Sequence, residues 1–340
     1  MSDYAGSMRS KGQNLLVVEG NHEKNKLFEL IFRCFPEINI NLENVWIYGT
    51  NIYMLYEDIV KEYGTGWTAE DIDLPFIISR KQNPAVMQYK EDFVNIILVF
   101  DYERHDPNFS QRKIQEMQEY FTDAADTGQL YLNYPMIESY QHLKGLPDEA
   151  YAERKIPVSL QPGSQYKGLV REETVIAGLV EFPHKIQELL REHFGITDAA
   201  ICKKCFENIL DVSDESSVRD QICNILQTVL EGKNLKTAIY QFSALVTDLG
   251  YVHTGKTYWE YMREVFRQII FHNICKAQRI QYGSYQIDSS EYRECFHNLN
   301  LGEILKIQNT VSQNDQTGYI WVLSTCVFFI AEYNFSLVDS

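Results

Sequence analysis

Two short stretches place carboxylates where a buried strand should stop. In "NLLVVEGNHEK" (residues 14–24) the apolar run Leu15 to Val18 leads directly into Glu19 and Gly20, and Glu23 follows four residues after Glu19. In "VFDYERHDP" the strand-like run Asn95 to Phe100 ends on Asp101, with Glu103 and Asp106 close behind. An acid at the carboxyl end of a strand reaches solvent at the sheet edge, so it need not be desolvated there. Residues two apart on an extended backbone point to one side, so Asp101 and Glu103 can share one ion. Three or four such groups converging at a sheet edge form a hard oxygen-ligand site suited to Mg²⁺ or Mn²⁺.

The elements that must bring these acids together follow from periodicity. After Leu15 to Val18, residues Leu27, Leu30, Ile31 and Cys34 keep helical spacing until Pro36 ends the pattern. Val45 to Tyr48 predicts a second strand, and Asn51 can cap a helix with the stripe Ile52, Leu55, Tyr56 and Ile59. Phe76 to Ile78 could add an extra strand before a basic stretch at Arg80, Lys81 and Lys90. After Asn95 to Phe100, Ser110 can cap a helix carrying Ile114, Met117 and Phe121, and Leu130 to Leu132 predicts a fourth strand before "NYPMIESY", where Pro135 suits a helix start. Strand and helix in alternation predict an α/β fold: a mostly parallel sheet flanked by helices, with ligands bound beyond the carboxyl ends of the strands. From about Val170 the spacing is helical throughout, for example Met262, Val265, Phe266, Ile269 and Ile270. The expected organisation is a disordered start at 1–13, an α/β metal-binding domain at 14–145, a linker at 146–169 rich in Pro and Gly, and a mainly α-helical accessory or interaction domain at 170–340.

Composition sets bounds on function. The chain has 340 residues, 45% of them hydrophobic and 13% aromatic, enough for a large core. Seven irregularly placed cysteines predict reduced thiols and a cytoplasmic protein. The start lacks the apolar run of a signal peptide, and the apolar stretch Tyr319 to Ala331 falls short of the ~20 residues of a membrane helix, so no membrane partner is expected. A net charge of −16 opposes nonspecific binding to nucleic acid over most of the surface. A polyanionic substrate would need a local basic patch, a bound metal or a basic partner.

The Glu-Gly that ends the first strand, together with a later hydrophobic strand ending in Asp101-x-Glu103, resembles the TOPRIM domain of topoisomerases, primases, recombination proteins and certain nucleases. More narrowly, "VVEGNHEK" is similar to the overcoming-lysogenisation-defect nucleases and related TOPRIM effectors of phage defence, including the TOPRIM subunit of the PARIS system. The likeness covers residues 14–145. It implies that Asp101 and Glu103 hold a divalent ion, that Glu19 is a metal ligand or general acid/base, and that Glu23 adds to a second ion site at a helix start. It also implies a further acid in "NYPMIESY", where Asn133 and Glu138 follow the fourth strand; the alternative for that segment is a helix start with Met136 and Ile137 packed inward. The implied activity is phosphodiester hydrolysis of RNA, with tRNA among the candidates, or of DNA, by a metal-dependent endonuclease serving as a toxin-like antiviral effector. An ATPase or activator partner would release it, and a homo-oligomer is compatible with that role. The family's acidic pair is most often two aspartates, so Glu103 departs from it. The chain carries no recognisable zinc elements of a primase and no strand-passing tyrosine domain of a topoisomerase. Two other functions remain open: a non-catalytic interaction protein that keeps the TOPRIM scaffold, and nucleotidyl or phosphoryl transfer at the same ions.

Four further features have simpler readings beside the functional ones. Asp106 can start a turn with Pro107, and His105 can be a plain loop histidine rather than a phosphate contact. In "CKKC", Cys202 and Cys205 join Phe206 and Ile209 on one helix face, with no second cysteine pair at zinc-ligand spacing. Arg263, Arg267, Lys276 and Arg279 share a long helix with Tyr258, Trp259 and Tyr261, which suits either single-stranded nucleic acid or an ordinary amphipathic face.

Overall fold

The computed structural model describes residues 13–160, 164–214, 216–285 and 291–339. Except for Gln13, the segment expected to be a disordered start lies outside the described residues. So do Pro162 and Gly163, two of the proposed linker signals.

The described residues form eight strands: β1 (Gln13–Val18), β2 (Val45–Ile47), β3 (Phe93–Asp101), β4 (Thr122–Asp123), β5 (Gly128–Tyr134), β6 (Lys155–Pro157), β7 (Tyr319–Trp321) and β8 (Leu323–Ser324). The first-half helices are α1 (Glu29–Cys34), α2 (Ile52–Tyr63), α3 (Leu74–Gln82) and α4 (Gln111–Tyr120). The second half contributes α5 (Ser164–Glu173), α6 (Val175–Glu188), α7 (Ala199–Leu210), α8 (Val218–Leu226), α9 (Gly232–Asp248), α10 (Tyr258–Tyr282), α11 (Tyr292–His297), α12 (Leu301–Val311) and α13 (Phe328–Tyr333).

The main sheet has the order β2-β1-β3-β5-β4, with β8 attached to β5. The pairs β1–β2, β1–β3 and β3–β5 are parallel, whereas β4 and β8 pair antiparallel with β5. The result is an α/β protein with a mixed, mostly parallel sheet flanked by helices. Leu15 to Val18 are wholly buried because β1 has a neighbour on each side and helices above and below, which is why this strand reads as an unbroken apolar run. The predicted caps are in place: Asn51 accepts from the Met54 amide at 3.1 Å, and Ser110 from that of Lys113.

Phe76 to Ile78 is not a strand. Asp73 accepts the Phe76 amide at 2.9 Å and Pro75 sits in the first turn, so the segment winds into α3. Pro135 does not open a helix directly either: its bond to Tyr134 is cis, and a 3₁₀ turn begins two residues later at Ile137–Gln141.

The second half is not separate from the sheet. β8 extends it, α1 packs on α10, α4 packs on α12, and one continuous hydrophobic core includes residues of both halves. Among the described residues no helix is long and apolar enough to cross a membrane; Tyr319 to Ala331 instead supplies β7, β8 and part of α13.

Candidate metal centre

β1 and β3 are neighbours with Val18 opposite Val99, so their carboxyl ends lie side by side. From β1 the chain turns toward β2, while from β3 it turns toward β5. The gap between those two ends is therefore the point where connections leave in opposite directions, and such a point leaves a crevice in an open α/β sheet. Glu19 and Asp101 stand at it.

Asp101 is the most enclosed of the acids, only 4% exposed. Its Oδ1 accepts from Asn133 Nδ2 at 3.2 Å on the paired residue of β5, and Asn133 Oδ1 accepts from Ser324 Oγ of β8 at 3.0 Å. The C-terminal strand thus helps to orient an acid from the first half. Burial raises the Asp101 carboxyl well above its usual range, and repulsion from Glu19, Glu23, Glu138 and Glu103 adds to it. The four sequence-predicted glutamates therefore all lie close enough to act on Asp101.

Glu19 is pushed up to about 8, first by burial and then by Glu103 and Glu23, against a lowering hydrogen bond from the Asp101 backbone. Its Oε2 is buried without a hydrogen-bond partner. Glu23 opens a π-wound stretch, Glu23–Phe28, that leads into α1, and π-helical turns recur at functional sites. Its Oε2 accepts the Gly20 amide at 2.8 Å, and a Cβ on residue 20 would meet that oxygen at 3.3 Å, which favours glycine after Glu19. Burial raises the Glu23 carboxyl as well.

Glu103 has φ of +40°, a left-handed backbone that glutamate adopts at a cost of about 1 kcal/mol. Its neighbours brace it there. Tyr102 is buried with its hydroxyl on Asn309 Oδ1 (2.8 Å) and Ser312 Oγ (2.9 Å), and Arg104 reaches Asp315 at 2.8 Å. Burial, then Asp106, raises the Glu103 carboxyl, while Asn51 donates to it and to Asp106 Oδ2 (2.6 Å). Asp106 thus sits beside the cluster as a turn acid, bonded to the Asn108 amide at 2.6 Å.

Glu138 comes from the 3₁₀ turn after β5, 5% exposed. Its Oε1 faces Lys167 Nζ at 3.1 Å and His22 Nε2 at 3.2 Å, and neither of its oxygens receives a hydrogen bond. Burial lowers the His22 imidazole, and Glu138 pulls it the other way.

No family model, curated protein or solved structure matches the chain.

Among the described residues no three His, Cys, Asp or Glu side chains are arranged to hold a metal ion as they stand. The donor set still suits one: it is all oxygen, enclosed, mutually repelling, and includes Glu19 Oε2 and Glu138 Oε2 without hydrogen bonds. Sharing an ion would require the carboxylates to turn inward.

Lys167 and His22 escaped the sequence reading. His22 lies inside "EGNHEK", where its place just before Glu23 was a usable signal; Lys167 lies where Pro and Gly suggested a linker, with no pattern to mark it. The other candidates fall outside the site. Cys202, Cys205, Phe206 and Ile209 are buried together on α7, and all seven cysteines are free. The cations of α10 serve the fold: Arg263 bonds the Cys34 carbonyl and Glu37, Arg267 the Leu337 carbonyl, and Arg279 Glu153. Lys276 is wholly buried. Arg80, Lys81 and Lys90 are likewise paired, with Glu62, Asp58 and Asp71.

Proposed function

We propose that the protein is a divalent-metal-dependent nuclease on a TOPRIM-like scaffold, acting on RNA, with tRNA among the candidates, or on DNA, as an effector of anti-phage defence. The observation that carries this reading is that Asp101, buried at the carboxyl end of β3 beside that of β1, lies within repulsion range of Glu19, Glu23, Glu103 and Glu138. Asp101, Glu103, Glu23 and Glu138 would hold Mg²⁺ or Mn²⁺. When bound, such ions stabilise the charge on the attacking and leaving oxygens of phosphodiester cleavage.

Glu19 has a separate task. Its Oε2, buried without a hydrogen-bond partner, would be free to take a proton from the attacking water or return one to the leaving oxygen. Asn133 fixes the Asp101 carboxylate, and the brace on Tyr102 fixes Glu103. The defence role rests on the likeness of "VVEGNHEK" to phage-defence TOPRIM effectors. The charge of −16 supports delivery of the polyanion by an activator or ATPase partner.

Labelled tRNA, single-stranded DNA and duplex DNA incubated with Mg²⁺, Mn²⁺ or EDTA, with and without candidate partners, test the reading. Cleavage should require metal and fall by roughly 10²-fold or more in Glu19→Gln and Asp101→Asn; cleavage indifferent to EDTA or to both substitutions would overturn it. The contact of Lys167 with Glu138 favours a second reading, a non-catalytic scaffold in which protein cations balance the acids. Failure to cleave any substrate with any partner would select it.

A further inference from the structure

Helix α5 brings an ammonium group into the acid cluster from the second half of the chain. Lys167 lies in its first turn, 3.1 Å from Glu138 Oε1, and its charge also lowers the carboxyls of Glu23 and Glu103. The rest of the helix sets this register. It packs on the 3₁₀ turn that carries Glu138. The hydroxyl of the buried Tyr166 lies 3.1 Å from His142 Nδ1, and Glu173 at the far end takes His142 Nε2 at 3.1 Å and Lys144 Nζ at 2.9 Å.

An ammonium that faces Glu138 and acts on Glu23 and Glu103 meets part of the same electrostatic need as a metal ion. It weakens the hold of those acids on a metal: a unit cation a few ångströms from a divalent cation repels it, and the charge of Glu138 is already partly balanced through Oε1. Lys167 and a metal compete as counter-ions for one set of acids.

We propose that Lys167 is an internal counter-cation that competes with divalent metal for Glu138, making α5 a latch: the centre loads metal as α5 withdraws Lys167. This rests on the metal-centre reading above and adds its regulation. An activator that draws α5 away would license metal loading, so the trigger acts on a helix rather than on the acids themselves.

Mn²⁺ titration of the full chain, followed by the electron paramagnetic resonance of the free ion, tests it with wild type, Lys167→Met, Lys167→Arg and Asp101→Asn. Removing the competing charge should tighten Mn²⁺ binding roughly tenfold in Lys167→Met, while Lys167→Arg stays near wild type. Amide exchange across residues 165–173 of the wild type should rise when Mn²⁺ is added, a readout that does not depend on the variant folding. If Lys167→Met binds no more tightly than wild type, or if α5 exchange does not change on Mn²⁺ addition, the latch is wrong. Should wild-type binding then still vanish in Asp101→Asn, the metal centre stands and only the latch falls. No binding by wild type or Lys167→Met would sink both.

Discussion

Glu19 makes metal-free protein pay for neutral pH, and the effect can be sized. Its carboxyl is raised from 4.5 to about 8, chiefly by burial. A carboxyl with a folded value above its unfolded value binds more protons in the native state, so stability is full below 4.5 and is lost as pH rises toward 8. Each pH unit of that gap is worth about 1.4 kcal/mol, so the whole loss is on the order of 5 kcal/mol, about 2 of it between pH 6.5 and 8. In the upper window Lys276, lowered to about 6 by burial, adds stability as pH rises in wild type and variant alike, so the difference between the two proteins isolates Glu19. Carboxyls held low in the folded state, such as Glu37 and Asp148, cost stability only in acid; histidines held low, such as His142, cost it only below about 6.5.

Urea unfolding in EDTA at several pH values between 6.5 and 8.5, comparing wild type with Glu19→Gln, reads this directly. Wild type should lose about 2 kcal/mol more than the variant across the window, and the variant should be the more stable at pH 8. Mn²⁺ should return the lost stability to wild type, since an ion that binds only the folded state stabilises it, and should return much less to the variant. Parallel pH profiles for the two proteins, or no effect of Mn²⁺ on wild type at pH 8, would refute the burial of an ionising acid at residue 19.

Three more outcomes follow from individual contacts. Asn133→Ala should weaken Mn²⁺ binding by about 10- to 100-fold, because Asp101 loses the donor that orients it; unchanged affinity in a Mn²⁺ titration would show that the bond is idle. Glu103→Gly should stabilise the fold by up to about 1 kcal/mol through relief of the +40° φ, while nuclease activity falls; loss of stability on urea unfolding would contradict this. Lys276→Met should cost about 3 kcal/mol at neutral pH, because the carbonyls of Tyr151, Ala152 and Arg154, each within 2.8 Å of Nζ, lose their shared donor inside the core, an amine that burial lowers to about 6; a change under 1 kcal/mol in the same assay would refute it.

The legible parts of this chain were those set by local pattern. β1 and β3 announce themselves as apolar runs because both are sandwiched, and the acids that follow them mark the carboxyl edge. The caps at Asn51 and Ser110 are equally local, since each closes a turn within three residues. Phe76 to Ile78 misled because three apolar residues suit a strand or a helix alike, and the cap at Asp73 decides between them. What stayed hidden was non-local. Nothing in Leu323 and Ser324 says that they pair with Tyr134 and Asn133, yet that antiparallel contact places Ser324 on the residue that orients Asp101.

The same gap explains why a two-domain division looked natural. The α10 cations and aromatics suggest a surface platform when read along one helix, but the helix is central, and its Lys276 and Arg263 bind backbone from distant segments. Sequence periodicity reports which face of a helix is apolar; it does not report whether a second layer covers the polar face. Here the second half supplies that layer and also reaches the acids, through β8 behind Asp101 and through Lys167 in front of Glu138. A shift of β8 or α5 would therefore act on these carboxylates, through the Ser324–Asn133–Asp101 chain of hydrogen bonds and through the Lys167–Glu138 ion pair.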